Sequence, residues 1–391
     1  MMNQTIQQML PEMAAMSDNI FDHPELGFKE HHASKLLIDW LRAQGYELTA
    51  PVGGLETAFK ATWQQGEGGP VIGLLCEYDA LPMGHACGHH MQGPIMLMVA
   101  QALRHSGITA PFQIVIYGTP AEEGPQGKRI MLENGCFKEL DVALMTHAAP
   151  NTTVDIKSLS GSVFEVVFKG VATHESLAPE HGRSALDAMV LAFQGLAFLR
   201  THVKEDVKFF TSVQECSGTP ENKDPTIARV KVSLRTYEVE TIPELESRLK
   251  HVLEGAALMT ETQVSIVKTL SMVGKLPSLS LNEIIMCHAR AIDAPQLLDY
   301  RTRTGGTDFG YVSQIVPSAV SRFAFVPEGS PSHSQIFLDY GKSSEAHQGM
   351  ASSAQILYLT ARELIEDTAA LERVKAEFTQ RAQERDAKAR V

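Results

Sequence analysis

Three short segments of this sequence carry side chains that bind metal ions or transfer protons. The first, residues 85–90 (HACGHH), contains Cys87 and His89 two positions apart. Both side chains can point at one ion, because Gly88 between them lets the backbone turn tightly. A Cys-x-His pair of this length is weakly diagnostic of a metal site when it stands alone.

The second segment contains the adjacent carboxylates Glu122 and Glu123, directly after the apolar run 112–118. Neighbouring carboxylates repel each other unless a cation lies close by. At the end of a strand the two side chains can diverge, so that one binds a metal ion while the other faces a water molecule as general base. A solvated acidic loop would explain the same pair if nothing else supported it.

Two further histidines complete the candidate set. His147 ends the apolar run 142–146, and His333 lies in a polar loop. Taken alone, His147 is typical of a histidine in a protein core, and His333 is typical of a histidine in a loop. However, the Cys-His pair, the Glu pair and His147 each follow the carboxyl end of a separate predicted strand, and ligands bind at that edge of open α/β sheets. Thiolate, imidazole and carboxylate together suit Zn²⁺, with Mn²⁺ and Co²⁺ as alternatives.

Alternating strand and helix patterns predict an α/β fold with a mainly parallel, covered sheet. Short apolar runs with turn residues at their ends predict the strands, and apolar residues at helical spacing predict the helices. The predicted strands of the first part are 55–63, 71–76, 112–118 and 142–146, and the helices are 31–44, 92–105 and 127–134.

The pattern changes after Lys157, where the order of predicted elements becomes β-α-β-β-α-β. That order is typical of a compact ferredoxin-like α+β unit. We therefore predict a catalytic domain in two pieces, 1–160 and 274–391, with a lid or dimerisation domain, 161–273, inserted between them.

Composition restricts the class of partner and the compartment. The 34 basic and 46 acidic residues give a formal charge of −12, which opposes binding to nucleic acid or to an anionic membrane. Five cysteines in a chain of this length do not suggest a disulfide framework. A signal-like N-terminus and an apolar run of about 18 residues are both missing from the sequence, so we expect a cytoplasmic protein.

At the segments described above, the sequence resembles the aminoacylase and carboxypeptidase metallopeptidases, metallopeptidase family twenty. It is most similar to the amidohydrolase branch that contains p-aminobenzoyl-glutamate hydrolase and aminoacylase-1-like protein 2. The matching motifs extend along nearly the whole chain. They are 23–28 (HPELGF), 77–82 (EYDALP), 84–89 (GHACGH), 118–124 (GTPAEEG), 144–147 (LMTH), 306–310 (GTDFG), 331–334 (PSHS) and 346–350 (AHQGM).

The resemblance implies two divalent metal ions per chain, Zn or Mn, with Co or Ni as alternatives. Cys87 would bridge the ions, and Glu122 would take a proton from a metal-bridging water and pass it to the leaving amine. Asp79 would orient a ligand from outside the metal shell. The remaining ligands would be His89, Glu123, His147 and His333. His347 competes with His333 for the last position.

In the inserted domain the resemblance assigns three residues to the substrate. His174 would reach across the interface of a homodimer and stabilise the oxyanion, Arg235 would bind the substrate carboxylate, and Asn222 would contact the substrate. The chain departs from the family pattern at His90, around Asn222, and at residues 175–176 after His174. These departures affect the surroundings of the site and leave the proposed ligands and base in place.

The expected reaction is hydrolysis of the amide bond of an N-acyl or aminobenzoyl amino acid, or of a dipeptide. One alternative is a hydrolase in which Cys87 is the nucleophile and His89 or His147 the base. That interpretation leaves the Glu pair and His333 without a role. The other alternative is a non-catalytic protein that binds small molecules with the same fold.

Overall fold

The computed structural model describes residues 2–174, 176–219 and 222–388, with the backbone alone at 219 and 222–224. The chain forms two compact units. The first consists of Met1–Lys157 and Lys275–Glu384, and the second of Ser158–Gly274 and the chain end from Arg385. The functions that the sequence suggests for these units, catalysis for the first and dimerisation for the second, stay predictions.

The strands and helices are named here in chain order. The strands are β1 (Glu47–Thr49), β2 (Phe59–Gln65), β3 (Val71–Cys76), β4 (Phe112–Gly118), β5 (Val142–Ala149), β6 (Thr153–Ser158), β7 (Ser160–Lys169), β8 (Lys208–Thr219), β9 (Asn222–Thr236), β10 (Gln263–Met272), β11 (Arg301–Thr304) and β12 (Ser318–Ala324). The helices are α1 (Gln4–Asp22), α2 (His31–Ala43), α3 (Gln92–Arg104), α4 (Gly127–Glu133), α5 (Ala185–Leu199), α6 (Ile242–Met259), α7 (Leu279–Ala291), α8 (Phe309–Ser313), α9 (Gln335–Tyr340), α10 (Ser344–Glu366) and α11 (Thr368–Lys388).

The first unit is built on a sheet with strand order β1-β2-β4-β3-β5-β12-β6-β11. Its centre, β4-β3-β5-β12, is parallel, while β2 and β6 pair antiparallel with their neighbours. The central strands are apolar along nearly their whole length because helices cover both faces of a parallel sheet. The predicted α/β fold with a mainly parallel sheet is confirmed.

Helix α3 is the main contact between the sheet and the other helices of the first unit. Its residues from Gln92 to Leu103 are all buried. Gly93 permits close packing, since a Cβ there would lie 2.6 Å from Leu37 Cδ2 of α2. Within the described part of the chain, no helix has both the length and the hydropathy that crossing a bilayer requires.

The second unit contains β7, α5, β8, β9, α6 and β10 in that chain order. Its sheet has the order β10-β7-β9-β8, and every neighbouring pair is antiparallel. A single apolar core lies between this sheet and the two helices, and it includes Phe164 of β7 and Leu249 of α6. This arrangement is ferredoxin-like, as predicted from the order of elements.

Six elements of the first unit were not predicted, namely α1, β1, β6, α8, α9 and β11. Helix α1 contains Pro11, a residue that is unfavourable inside a helix, and its buried face includes the polar residue Ser17. Strands β6 and β11 are short and lie next to each other at one side of the sheet. Short strands of mixed polarity carry little periodic signal, so local pattern does not distinguish them from loops.

Candidate metal centre and substrate cavity

The carboxyl ends of β3, β4 and β5 lie at one edge of the sheet because these three strands are parallel neighbours. The segment after β3 leads to Asp79 and then to Cys87, and the segment after β4 carries the Glu pair. His147 lies inside β5, which continues two residues beyond it to Ala149. Gly88 adopts φ 81° and ψ 16°, a left-handed conformation that favours glycine, and this turn places Cys87 next to His89.

The two carboxylate oxygens of Asp79 contact two different proposed ligands. Its Oδ1 lies 3.1 Å from His89 Nδ1, and its Oδ2 accepts the backbone N–H of Glu123 at 2.8 Å. A ring Nδ1–H donated to Asp79 leaves Nε2 as the ligand atom of His89. Asp79 is fully buried, so both contacts are shielded from water.

His89 Nε2 is buried and forms no hydrogen bond among the described residues, although Glu77 Oε2 lies 3.2 Å away. A nitrogen lone pair and a carboxylate oxygen at that distance repel unless a proton or a metal cation lies between them. The surrounding donors fit a cation. Cys87, His89 and Glu123 each offer a ligand atom within 4.8 Å of the others, and so do Glu77, His89 and His147.

His147 and His333 occupy different positions in this cluster. Burial first, and then the Arg322 guanidinium, lower the pKa of His147 to about 3, which keeps its imidazole in the neutral form that binds metals. His333 Nε2 lies 3.2 Å from Glu123 Oε1, and its ring is half exposed. The structure therefore brings Cys87, Glu123 and both histidines together with His89.

Glu122 diverges from Glu123 and joins a different set of carboxylates. Its side chain lies with those of Glu77 and Asp308, each offering an oxygen within 4.8 Å of the others. Desolvation first, and then repulsion by Glu77 and Asp308, raise the pKa of Glu122 well above the ordinary range. A carboxyl group with a raised pKa can exchange protons near neutral pH, as general acid–base catalysis requires.

A buried ammonium balances the carboxylates beneath the site. Lys128 Nζ lies 2.5 Å from Glu77 Oε1 and 2.7 Å from Asp308 Oδ1, and all three side chains are inaccessible to solvent. Burial acts to raise the pKa of Glu77, but Lys128 and then His89 outweigh it and lower that pKa to about 2. Burial raises the pKa of Asp308 to about 6 in spite of Lys128.

Sequence reasoning missed this ion network. Glu77 and Asp308 belong to the motifs 77–82 and 306–310, which could have marked them as site residues. Lys128 had no such signal, because a lysine in the first turn of a short helix is usually exposed.

A cavity of about 190 Å³ opens onto these residues within the first unit. Its lining includes Cys87, Glu122, Glu123, His147 and His333. Another part of its wall carries cationic side chains around a buried aspartate, a feature that the sequence also did not reveal. The candidate ligands and the candidate base therefore adjoin the cavity.

The other candidate residues lie elsewhere. His90 Nε2 donates to Gly341 O at 2.9 Å, and His347 Nε2 lies 2.9 Å from Asp18 Oδ1, so in the described residues neither joins the ligand clusters. His174 is an exposed loop residue of the second unit. Arg235 is half-buried there, and its Nη1 lies 3.7 Å from the Met272 sulfur. The side chain of Asn222 is outside the described residues.

Comparisons with known proteins show which proteins this chain resembles. A profile of the peptidase family M20/M25/M40 matches residues 77–337, more than half of the chain. The chain is 28% identical over 445 residues to one of the polypeptides of p-aminobenzoyl-glutamate hydrolase from Escherichia coli (strain K12), an alignment that covers 93% of this chain and 91% of that protein. It is 29% identical over 401 residues to the Xaa-Arg dipeptidase of Mus musculus, covering 97% and 91%.

Solved structures show the same fold. A Bacillus subtilis protein described as a dinuclear metal binding peptidase from the M20 family superposes with a TM-score of 0.72 at 20% identity. The superposition covers 92% of this chain and 99% of that one. Because the match spans both chains almost completely, the likeness includes both units of the fold.

Proposed function

This chain belongs to peptidase family M20/M25/M40 and is a metal-dependent hydrolase, and we propose that it cleaves the amide bond of an N-acyl amino acid or a dipeptide. The observation that carries this proposal is the juxtaposition, in one cavity, of a thiol–imidazole–carboxylate cluster with Glu122, a carboxyl group of raised pKa. The two relatives named above act, by their names, on amides of amino acids, which supports the same bond type here.

Two divalent ions, Zn or Mn with Co or Ni as alternatives, fit the donors present. Cys87 would help to hold them, and His89 Nε2, which is buried and forms no hydrogen bond among the described residues, supports a role for that nitrogen as a ligand. Glu123, His147 and His333 would complete the two shells. When bound, such ions polarise a carbonyl group and lower the pKa of water towards about 7.

Glu122 is the proposed general base. It would accept a proton from the attacking water and then donate it to the nitrogen of the leaving amine, so that it ends the cycle in its starting form. Desolvation, and then repulsion by Glu77 and Asp308, raise the pKa of Glu122, which favours holding that proton between the two transfers. Lys128 limits the repulsion among the three carboxylates by pairing with Glu77 and Asp308.

The second unit contributes substrate contacts in this proposal. Arg235 would bind the α-carboxylate through charge-assisted hydrogen bonds from its guanidinium group, and Asn222 would contact the substrate backbone. His174 would stabilise the oxyanion in the site of a second copy of the chain, which requires a homodimer. These three assignments rest on the motif resemblance of residues 169–174, 222–225 and 235.

A cysteine-nucleophile mechanism is less compatible with the site. Cys87 is only 1% exposed, and burial raises the pKa of its thiol, which disfavours the reactive thiolate. A nucleophilic cysteine normally has a lowered pKa and an accessible sulfur. In this mechanism Glu122 and Glu123 would also have no function.

The test is a turnover assay with Glu122→Gln and Glu123→Gln as a matched pair. The substrates are N-acyl amino acids, dipeptides and p-aminobenzoyl-glutamate, each with added Mn²⁺ or Zn²⁺. We expect Glu122→Gln to retain about two metal ions per chain by elemental analysis and to lose roughly 10²–10⁴-fold in kcat. Glu123→Gln should lose metal as well as activity.

Three outcomes would count against the proposal. Full activity of Glu122→Gln would remove its assignment as base. Wild-type activity without bound metal, insensitive to chelators, would favour the cysteine mechanism. No turnover of any amide in the panel would favour a binding protein with this fold.

A further inference from the structure

One wall of the cavity carries three cationic side chains around a single buried carboxylate. Asp155 of β6 accepts from Arg322 Nε of β12 at 2.9 Å and 2.8 Å, through its two oxygens. Lys275 Nζ lies 3.0 Å from Asp155 Oδ2. Arg301 of β11 approaches least closely, with its Nε 3.8 Å from Oδ1, which is longer than a hydrogen bond.

The charges of this cationic wall do not balance. Asp155 supplies one negative charge, and Arg301, Arg322 and Lys275 together supply three positive ones. Arg322 and Lys275 lie closer to the Asp155 oxygens, so Arg301 is left with the longest ion-pair distance to that carboxylate, 3.8 Å. Burial, and then repulsion by Arg322, lower the pKa of Arg301, the sign of a cation lacking full compensation.

The wall borders the proposed metal centre directly. Arg301, Arg322, Lys275 and Asp155 line the same cavity as the ligand cluster. Arg322 Nη1 lies 3.2 Å from His147 Nδ1, which places this guanidinium beside a proposed ligand. Glu77 and Glu122 act on Arg322 and raise its pKa, whereas the charges that act on the pKa of Arg301 are Arg322 and Asp155.

From this arrangement we infer that Arg301, Arg322 and Lys275 form an anion subsite that selects substrates with an acidic amino-acid side chain. The inference rests on the proposed amide hydrolysis and adds a substrate class to it. Arg301 is one-third exposed and has guanidinium N–H groups that Asp155 does not contact. Because guanidinium N–H groups are arranged in a plane that matches a carboxylate, they can donate to the carboxylate of a substrate. A cationic side chain would be repelled by the same charges.

Binding of the α-carboxylate, for which Arg235 is the proposed partner, is the alternative role for the wall, and the experiment below separates the two. In the inferred role, a second carboxylate, on the side chain, would meet Arg301 close to the scissile bond. Hydrogen bonds to charged groups contribute roughly 1.5–3 kcal/mol. The acidic substrate should therefore exceed its neutral isostere by roughly 10- to 100-fold in kcat/KM.

The experiment compares N-acetyl-glutamate, N-acetyl-glutamine and N-acetyl-lysine, which share the scissile bond and the α-carboxylate. We expect the wild type to prefer them in that order. Arg301→Gln should raise KM for the glutamate substrate about 10-fold or more and bring the glutamate-to-glutamine ratio to within about 3-fold. Arg301→Lys should restore part of the preference.

Arg303→Gln is the matched control. Arg303 lies two residues along the same strand, is exposed, and does not line the cavity. Its replacement removes the same charge from β11, so the ratio of the two substrates should be unchanged. A fall in that ratio for Arg303→Gln would mean that overall charge, rather than the wall, sets the preference, and would overturn the inference.

A second readout does not depend on turnover. In a Glu122→Gln background, N-acetyl-glutamate should bind about 10-fold more tightly than N-acetyl-glutamine by calorimetry, and Arg301→Gln should abolish the difference. Cleavage of the glutamine substrate without preference for glutamate would overturn the subsite and leave the proposed function intact. Equal losses for both substrates in Arg301→Gln would also overturn it, because the wall would then serve the shared α-carboxylate. Failure to cleave any amide would refute the proposed function itself.

Discussion

Replacing Lys128 with methionine removes the buried cation on which Glu77 and Asp308 depend. The three side chains are closed to solvent, and the ammonium lies 2.5 Å and 2.7 Å from the two carboxylates. Methionine fills a similar volume without charge, so the change isolates the electrostatic contribution from the packing contribution. Because no water reaches the pair, both carboxylates lose their main compensation at once.

The magnitude follows from the pKa of Glu77. Lowering this pKa from 4.5 to about 2 corresponds to about 3 kcal/mol of stability at neutral pH. That contribution disappears without Lys128, and the cost of a buried, unpaired carboxylate adds to it. Breaking a buried ion pair on one side costs roughly 3–5 kcal/mol, and we expect Lys128→Met to lie in that range.

The pH dependence has a definite sign. In the wild type the contribution of Glu77 is complete above about pH 4.5 and is lost as the pH falls towards 2. Without Lys128 the pKa values of both carboxyl groups rise, so the folded variant binds protons more tightly than the unfolded chain. Its stability therefore falls as the pH rises through the acid range towards neutrality, and the deficit should be larger at pH 8 than at pH 5.

Urea unfolding followed by tryptophan fluorescence measures this effect as a free energy of unfolding, since both tryptophans, Trp40 and Trp63, belong to the first unit. All samples need the same divalent ion concentration, because a bound ion adds stability. Lys342→Met is the control: its pair with Asp22 is 41% and 52% exposed, and exposed pairs of this kind contribute little to stability. A Lys128→Met deficit no larger than the control, or one independent of pH, would refute the reasoning.

Three further changes test the site and its supports. Gly88→Ala places a Cβ 2.4 Å from Ala148 Cβ at a positive φ, so we expect a loss of at least about 2 kcal/mol and a lower metal content by elemental analysis. Asp155→Asn leaves the three cations of the wall without their carboxylate and should destabilise the first unit by about 3 kcal/mol in urea unfolding. His333→Gln should lower metal content and kcat, whereas His347→Gln should change neither, because His347 pairs with Asp18 away from the ligand cluster. Equal effects of the two histidine changes would contradict this distinction.

Local pattern was sufficient for the elements that carry the site. Strands β3 and β4 begin and end where their apolar runs do, since a central parallel strand is buried on both faces and admits few polar residues. Successive strands of this kind predict a parallel sheet with chemistry at its carboxyl edge. Cys87, Glu123 and His147 could therefore be grouped from the sequence although they are distant along the chain.

The charged partners of the site depended on tertiary structure. Lys128 pairs with Glu77 across 51 residues and with Asp308 across 180, and Asp155 pairs with Arg322 across 167. A hydrophobic period records which face of a strand or helix is buried, but it contains no information about which distant charge lies opposite. The strand order decides which distant charges lie opposite each other. It places β12 between β5 and β6, so Arg322 lies beside both His147 and Asp155. The sequence by itself thus determined the candidate ligands and the sheet edge that carries them, while the packing of distant strands decided which charges lie opposite one another and where three cations gather around Asp155.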